Sequence, residues 1–273
     1  MAKCCDPDVL VKLIEDAALR LLAHIAEALA FFTRLPVPGV LFQDGVRLRA
    51  AFWAVPLVGA VIGGILASVL ALLLWLGVAE VAAVLGVVGI GFVITGALHE
   101  DGLADFCDGL GGSNREDALA IMKDSQIGSF GCLGLGLSVV GRVLMLLELT
   151  RLGAGWQAVL VMHVGARGCL SGLLFYPLAR GEGAAFSALG ARADQIFQAT
   201  LALVVAGVVF VLAASSALPP LEAMMLLGFG FLVVFAVGMI AMRRFGGVTG
   251  DVFGAAEQIS EFALLAGLLC FLS

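Results

Sequence analysis

The sequence predicts an all-α, polytopic membrane helix bundle of about seven transmembrane spans, preceded by an amphipathic helix. Three observations carry this. Of 273 residues, 62% are hydrophobic and 13% charged, against roughly 45–50% and 25% in soluble domains. Mean hydropathy is +1.11. The apolar residues also fall into successive runs, each near the ~20 residues that a helix needs to cross a bilayer. A single membrane domain spanning 1–273 accounts for the whole length. The net charge of −6 offers no basic surface for a phosphate backbone, so no nucleic-acid partner is expected.

Residues 8–33 alternate apolar and charged positions at helical spacing. Val9, Leu10, Leu13, Ala17, Leu21 and Ile25 form one stripe, while Lys12, Glu15, Asp16, Arg20 and Glu27 fall largely elsewhere. This pattern predicts an amphipathic helix at the membrane surface or against the bundle. Its early charges do not suit a signal peptide. The run TRLPVP at 33–38 ends it, because each proline disfavours helix at the residue before it. Spans follow near 50–76, 79–98, 128–148, 156–177, 196–218, 221–242 and 254–272. Glycines within them, as in GAVIGG at 59–64 and GCLGLG at 131–136, suit close helix contacts in lipid. The six cysteines have no metal-type spacing and read as buried or free thiols.

Between these spans, twelve of the fifteen Lys and Arg residues fall on one side, one on the other and two, Arg142 and Arg167, inside spans. The positive-inside rule makes the twelve-residue side cytoplasmic and puts the C-terminus on the far side. The long polar segments 99–127, 178–195 and 243–253 then share the cytoplasmic face, which favours an active site opening there over a path through the membrane.

The first of these segments, a catalytic loop with a short helix, holds HEDGLADFCDGLGG at 99–112. Asp101, Asp105 and Asp108, at i, i+4 and i+7, lie within about 60° of one another on a helix. Three carboxylates on one face repel unless cations sit among them. Mg²⁺ takes carboxylate oxygens and bridges to substrate phosphates, and such ions stabilise phosphoryl transfer. Asp101, Asp105 and Asp108 are therefore the candidate catalytic and metal-binding residues, with Glu100 an additional ligand and His99 a hydrogen-bonding group at the helix end. Ser113 and Glu116 have capping-box spacing ahead of a short helix, DALAIMKDS. Arg115 and Lys123 on this loop suit a polyanionic substrate. In GGVTGDVFG at 246–254, backbone N–H groups at a helix start can bind an anion, while Asp251 can cap the helix or ligate a metal. Arg167, with His163 four residues earlier, needs a partner in lipid: a substrate group, Glu148 or a carbonyl. Arg142 raises the same question. Glu257 and Glu261 can hydrogen-bond within the bundle or approach the site. Tyr176 reads as an interfacial anchor.

Several motifs in register then give the chain a family likeness: FFTRLPVP at 31–38, GALHEDGLADFCDGLGG at 96–112, REDALAIMKDSQIGSFG at 115–131, ARG at 166–168, YPLARGEG at 176–183 and GGVTGDVFGAA at 246–256. The sequence resembles the cobalamin synthase, or adenosylcobinamide-GDP ribazoletransferase, family along nearly its whole length. The resemblance implies transfer of the phosphocobinamide part of adenosylcobinamide-GDP to α-ribazole or its 5′-phosphate, releasing GMP and completing the nucleotide loop of vitamin B12. It implies Mg²⁺, a multi-pass place in the cytoplasmic (inner) membrane, and an association with other corrinoid-assembly enzymes. On this reading Arg34, Arg115, Lys123, Asp124, Arg167, Arg180 and Thr249 bind substrate, and Asp251 joins Glu100, Asp101, Asp105 and Asp108 at the metal. Two departures from the family pattern stand out. Glu100 replaces the leucine of HLDG, and Gln126 replaces the arginine of DSR, so position 126 brings no cationic clamp. Two alternatives fit less well. A CDP-alcohol phosphotransferase-like lipid enzyme would show an arginine after the first DG and a different acid spacing. An ion-coupled membrane transporter would place its acids deeper and show an inverted repeat.

Overall fold

The computed structural model describes residues 7–42, 50–179 and 192–273. Ten α-helices make up most of that length. They are α1 (Pro7–Phe32), α2 (Val55–Trp75), α3 (Glu80–Thr95), α4 (Leu98–Leu110), α5 (Arg115–Ile121), α6 (Ser129–Arg151), α7 (Gly155–Cys169), α8 (Arg192–Ala214), α9 (Pro220–Arg244) and α10 (Gly250–Leu272). No strand occurs among the described residues, where the only β pairing is a single parallel bridge between Leu178 and Val248. The all-α class expected from the sequence is what the chain adopts.

Six helices are long and apolar enough to cross a membrane: α2, α6, α8, α9, α10, and α7 with the 3₁₀ turns that continue it to Phe175. The pair α3–α4 passes the same test together but is bent by 89°. The bend is made by two successive left-handed residues, Gly96 (φ 66°) and Ala97 (φ 54°). It separates the apolar α3 from an α4 that carries four acidic residues in its thirteen. The seven predicted spans therefore correspond to α2, α3, α6, α7, α8, α9 and α10, with α4 turned aside from the last turn of α3.

Helix α7 lies at the centre, with 83% of its span buried, whereas 22% of the α6 span is. It packs along α2, α10 and α8. Small residues let the helices approach: a Cβ at Gly59 would collide with the His163 carbonyl, and one at Gly63 would lie 3.2 Å from Leu160 Cα. Close backbone approach is the main source of association between helices in lipid, where apolar burial offers no advantage. Outward faces are apolar in turn. Leu133, Leu137, Val140 and Leu144 on α6, and Val204, Val208 and Leu212 on α8, are exposed at helical spacing, as lipid-facing surfaces require.

Helix α1 differs from the sequence expectation in the face it buries. Ala23, Ala26, Ala28 and Phe32 pack inward, and Trp53 Nε1 donates to His24 Nδ1 at 3.0 Å. Ala17 and Leu21, from the expected stripe, are exposed together with Val11, Leu19 and Leu22. The small alanine face allows contact with the bundle, so the larger side chains are left outside.

Candidate functional site

Helix α4 is amphipathic in a polar sense. Leu103 and Phe106 are buried against the bundle, while Asp101 is exposed and Asp105 half-buried on another face. The helix crosses α10 at two glycines. A Cβ at Gly102 would lie 3.0 Å from Gly254 Cα and 3.0 Å from the Asp251 carbonyl oxygen, and one at Gly254 would lie 3.0 Å from Gly102 Cα. With no side chain at the crossing, the first turn of α10 rests directly on α4 and carries Asp251 to the acidic face. There Asp105 lies in the combined negative field of Asp251, Asp101 and Asp108.

The fourth carboxylate is engaged differently. Asp108 is buried, and its two oxygens accept from the backbone N–H groups of Gly128 at 2.7 Å and Gly131 at 2.8 Å. Those groups open α6, whose own N-cap residue, Gly128, has no side chain to supply. A carboxylate from another helix thus satisfies donors that the first turn leaves orphaned. Side chains at 128 or 131 would overlap the Asp108 carboxylate, so the glycines are a steric condition of the cap.

The second glycine-rich segment is also fixed in place. Ala179 N–H donates to Val248 O at 3.0 Å and Val248 N–H to Pro177 O at 2.9 Å. Gly247 is what lets these backbones meet, since a Cβ there would sit 2.5 Å from Ala179 N. Thr249 is buried and caps α10, its hydroxyl accepting from Val252 N–H at 3.2 Å. Thr249, expected to contact substrate, thus has its oxygen at the helix start.

Among the cations expected at the substrate, Arg34 and Arg115 are exposed and each overlies a left-handed glycine. The Arg34 guanidinium covers Gly96 at the bend before α4, and its backbone N–H donates to Ile94 O at 2.6 Å. The Arg115 guanidinium covers Gly246 (φ 73°) in the loop before α10. Arg34 therefore sits at the start of α4, and Arg115 beside the loop that leads into α10. Lys123 and Asp124 are exposed beyond α5, with Asp124 closing a turn through Gln126 N–H at 3.0 Å. Arg180 lies outside the described residues. Arg167, also expected at the substrate, is 1% exposed, and its Nη1 lies 2.6 Å from Glu257 and 3.2 Å from Glu261. Glu148, a partner considered from the sequence, is exposed and pairs with Arg151. Glu100, expected as an additional metal ligand, turns inward in the structure and meets Arg142 at 3.3 Å.

The short-helix start is shifted by one residue from the expected capping box. Asn114 Oδ1 accepts from Asp117 N–H at 3.0 Å, and Asp117 accepts from Ser113 through its N–H at 2.8 Å and its hydroxyl at 2.9 Å. Those two bonds hold the Asp117 carboxyl below its usual range. Sequence reasoning missed Arg244, which donates to Leu110 O and Gly112 O at 2.7 Å each and fastens the end of α4 to α9. Its position in the last turn of α9 marked it only as a topogenic charge.

The donor set on the acidic face is composed of carboxylates, which suits a hard cation. No three of these aspartates bring oxygens within 4.8 Å of one another; among the described residues that holds only for His163, Glu257 and Glu261. The latter donors are already engaged with Arg167 and with each other, and a dication beside that guanidinium would be repelled. Mg²⁺ is usually held by one or two carboxylates, with substrate phosphates and water completing its shell.

Comparisons with known proteins place the chain in a family. The cobalamin-5-phosphate synthase family model matches residues 24–269. An adenosylcobinamide-GDP ribazoletransferase of Allorhizobium ampelinum is 39% identical over 250 residues, covering 89% of this chain and 95% of its own. One of Azorhizobium caulinodans is 36% identical over 259 residues, covering 92% and 97%. Another, of Chlorobaculum parvum, is 39% identical over 249 residues, covering 89% and 94%. No solved structure matches the chain. A bundle that sets aspartates from two glycine-crossed helices on one face, carried by a sequence matched over this length, belongs to the cobalamin-5-phosphate synthase family.

Proposed function

We propose that this protein transfers the phosphocobinamide part of adenosylcobinamide-GDP to a hydroxyl of α-ribazole or α-ribazole 5′-phosphate, with GMP as the leaving group. The observation that carries the reading is the crossing of α4 and α10 at Gly102 and Gly254, which groups Asp101, Asp105 and Asp251 on an open face. Asp101, Asp105 and Asp251 would hold Mg²⁺. When bound, the ion supplies neutralising charge to the pyrophosphate and to the departing GMP. Asp105, half-buried and without the backbone bonds that occupy Asp108, takes the proton of the attacking hydroxyl. Arg115 and Arg34 bind the flanking phosphate charge of the donor, and Lys123 adds a further cation on the same loop as Arg115. The distribution of basic residues supports a cytoplasmic opening in the cytoplasmic membrane, where both substrates are soluble. Retention of intermediates among neighbouring corrinoid-assembly enzymes would give that location a purpose.

The test uses membranes containing the full chain, adenosylcobinamide-GDP, α-ribazole 5′-phosphate and Mg²⁺, with GMP and completed corrinoid as readouts. GMP should form in step with the corrinoid, stop with a chelator and resume with Mg²⁺. Asp105→Asn should lower the rate by about a hundredfold or more. A folded preparation that makes no GMP would sink the proposal, and full activity of Asp105→Asn would remove that residue from proton transfer.

A further inference from the structure

Behind the acidic face, the same two helices direct a second set of charges inward. Glu100 adjoins Asp101 in sequence but is turned about 100° from it around α4 and is buried, and Glu257 and Glu261 are buried one turn apart on α10. Arg142 reaches in from α6. Its Nη1 donates to Glu261 Oε2 at 2.8 Å, and its Nη1 and Nη2 donate to Glu100 Oε1 at 3.4 and 3.3 Å. Its guanidinium carbon also stands 5.7 Å from the Phe92 ring centre. Arg167 and His163 hold the other side of Glu261 from α7, at 3.2 and 2.7 Å. A small cavity of about 20 Å³ lies among Glu100, Arg142, His163, Arg167 and Glu261, enough for one water. Glu100 Oε2 and His163 Nε2 are buried without a protein partner.

Buried ion pairs are weak evidence for stability, because well-packed apolar residues often do as well. A network of this size needs another reason, and the geometry supplies one. Helix α4 is short, leaves α3 at 89°, and meets α10 through glycines. A glycine-on-glycine contact fixes how closely two helices approach but has no side chain to stop one from turning about its own axis. That turn decides where Asp101 and Asp105 point. Asp108 and Arg244 fasten the last turns of α4 to α6 and α9, whereas Arg142 grips its first turn through Glu100 and α10 through Glu261, so it fixes the rotation at the end where Asp101 stands.

We infer that Arg142, acting through Glu100 and Glu261, is a positioning residue that sets the rotation of α4 and so the register of Asp101 and Asp105 against Asp251. The inference rests on the proposed transfer reaction. Active-site groups must be held to about 0.5 Å and 10–20°, and a 1 Å displacement can cost about a hundredfold in rate.

The test is the double variant Glu100→Leu with Arg142→Met, made in the full chain. It cuts the charged link between α4 and α10 and removes one charge of each sign, while Glu261 keeps Arg167 and His163 at Oε1 and loses its Arg142 donor at Oε2. It should still melt cooperatively, with kcat lower by about a hundredfold and the KM for adenosylcobinamide-GDP within about threefold. Glu100→Gln keeps an acceptor oxygen for Arg142 and should hold kcat within about fivefold of wild type. A double variant with near wild-type kcat overturns the inference. So does one that loses its melting transition, which would assign the network to folding. So does a Glu100→Gln rate as low as the double variant's, which would give the carboxylate charge a direct part in the reaction. Absence of GMP from the wild type would instead count against the transfer reaction itself.

Discussion

Asp105 and Asp108 stand three residues apart on one helix and have opposite surroundings. Asp105 is half-buried among like charges, whereas Asp108 is buried with a backbone donor at each oxygen. Substitution should separate them. Asp108→Asn offers one acceptor in place of two and leaves a buried N–H of α6 unsatisfied, so thermal melting in detergent should show a loss of about 1–3 kcal/mol. Asp105→Asn relieves repulsion and should leave the melting temperature unchanged or raise it. Equal melting of the two variants would refute the capping role of Asp108. The helical phase of Asp101, Asp105 and Asp108 was legible in the sequence, and so was their common face. The partner of Asp108 was not, because Gly128 lies 20 residues away and phase within one helix says nothing about what approaches it. The same limit applies to Arg167. Its need for a partner was readable, but Glu261, 94 positions away, could be identified only once α7 and α10 were seen to touch.

Among the helices, hydropathy located the crossings well, since length and apolarity are properties of a segment alone. The 89° turn at Gly96–Ala97 falls at the predicted end of the second span, where the first acids appear. Less visible were the contacts between helices. Glycine richness predicted close packing in general but did not distinguish Gly102 and Gly254 from glycines such as Gly64, whose Cβ direction is open. That difference is measurable. Gly102→Ala and Gly254→Ala each put a methyl 3.0 Å from the opposing Cα, and the overpacking should cost about 1–3 kcal/mol and move Asp251 away from α4, lowering turnover. Gly64→Ala should be neutral or stabilise the helix by up to about 1 kcal/mol. Comparable losses at all three positions, in melting and in GMP release, would remove the crossing as the feature that assembles the site.

For the molecule as a whole, six described helices are long enough to cross a membrane and the bent α3–α4 pair makes a seventh if it spans; seven crossings would put the two chain ends on opposite faces. A reporter fused after Ser273 should read the far side, and one fused at the N-terminus the cytoplasm. A cytoplasmic signal from both would show that α3 turns back without crossing. The central helix adds a constraint on how such a bundle is made. Arg142 and Arg167 belong to α6 and α7, yet their shared carboxylate, Glu261, lies 119 and 94 positions further on, in the last helix. At about 5–20 residues per second, a ribosome releases α6 and α7 several seconds before it completes α10. Through that interval Arg142 has Glu100 as its one carboxylate partner, and Arg167, whose carboxylate partners Glu257 and Glu261 both lie on α10, has none, at roughly 2.5–3.5 kcal/mol. Assembly is therefore decided at the end of synthesis, and a chain shortened before residue 257 would be marked for disposal by its unmet charge, however apolar its remaining helices.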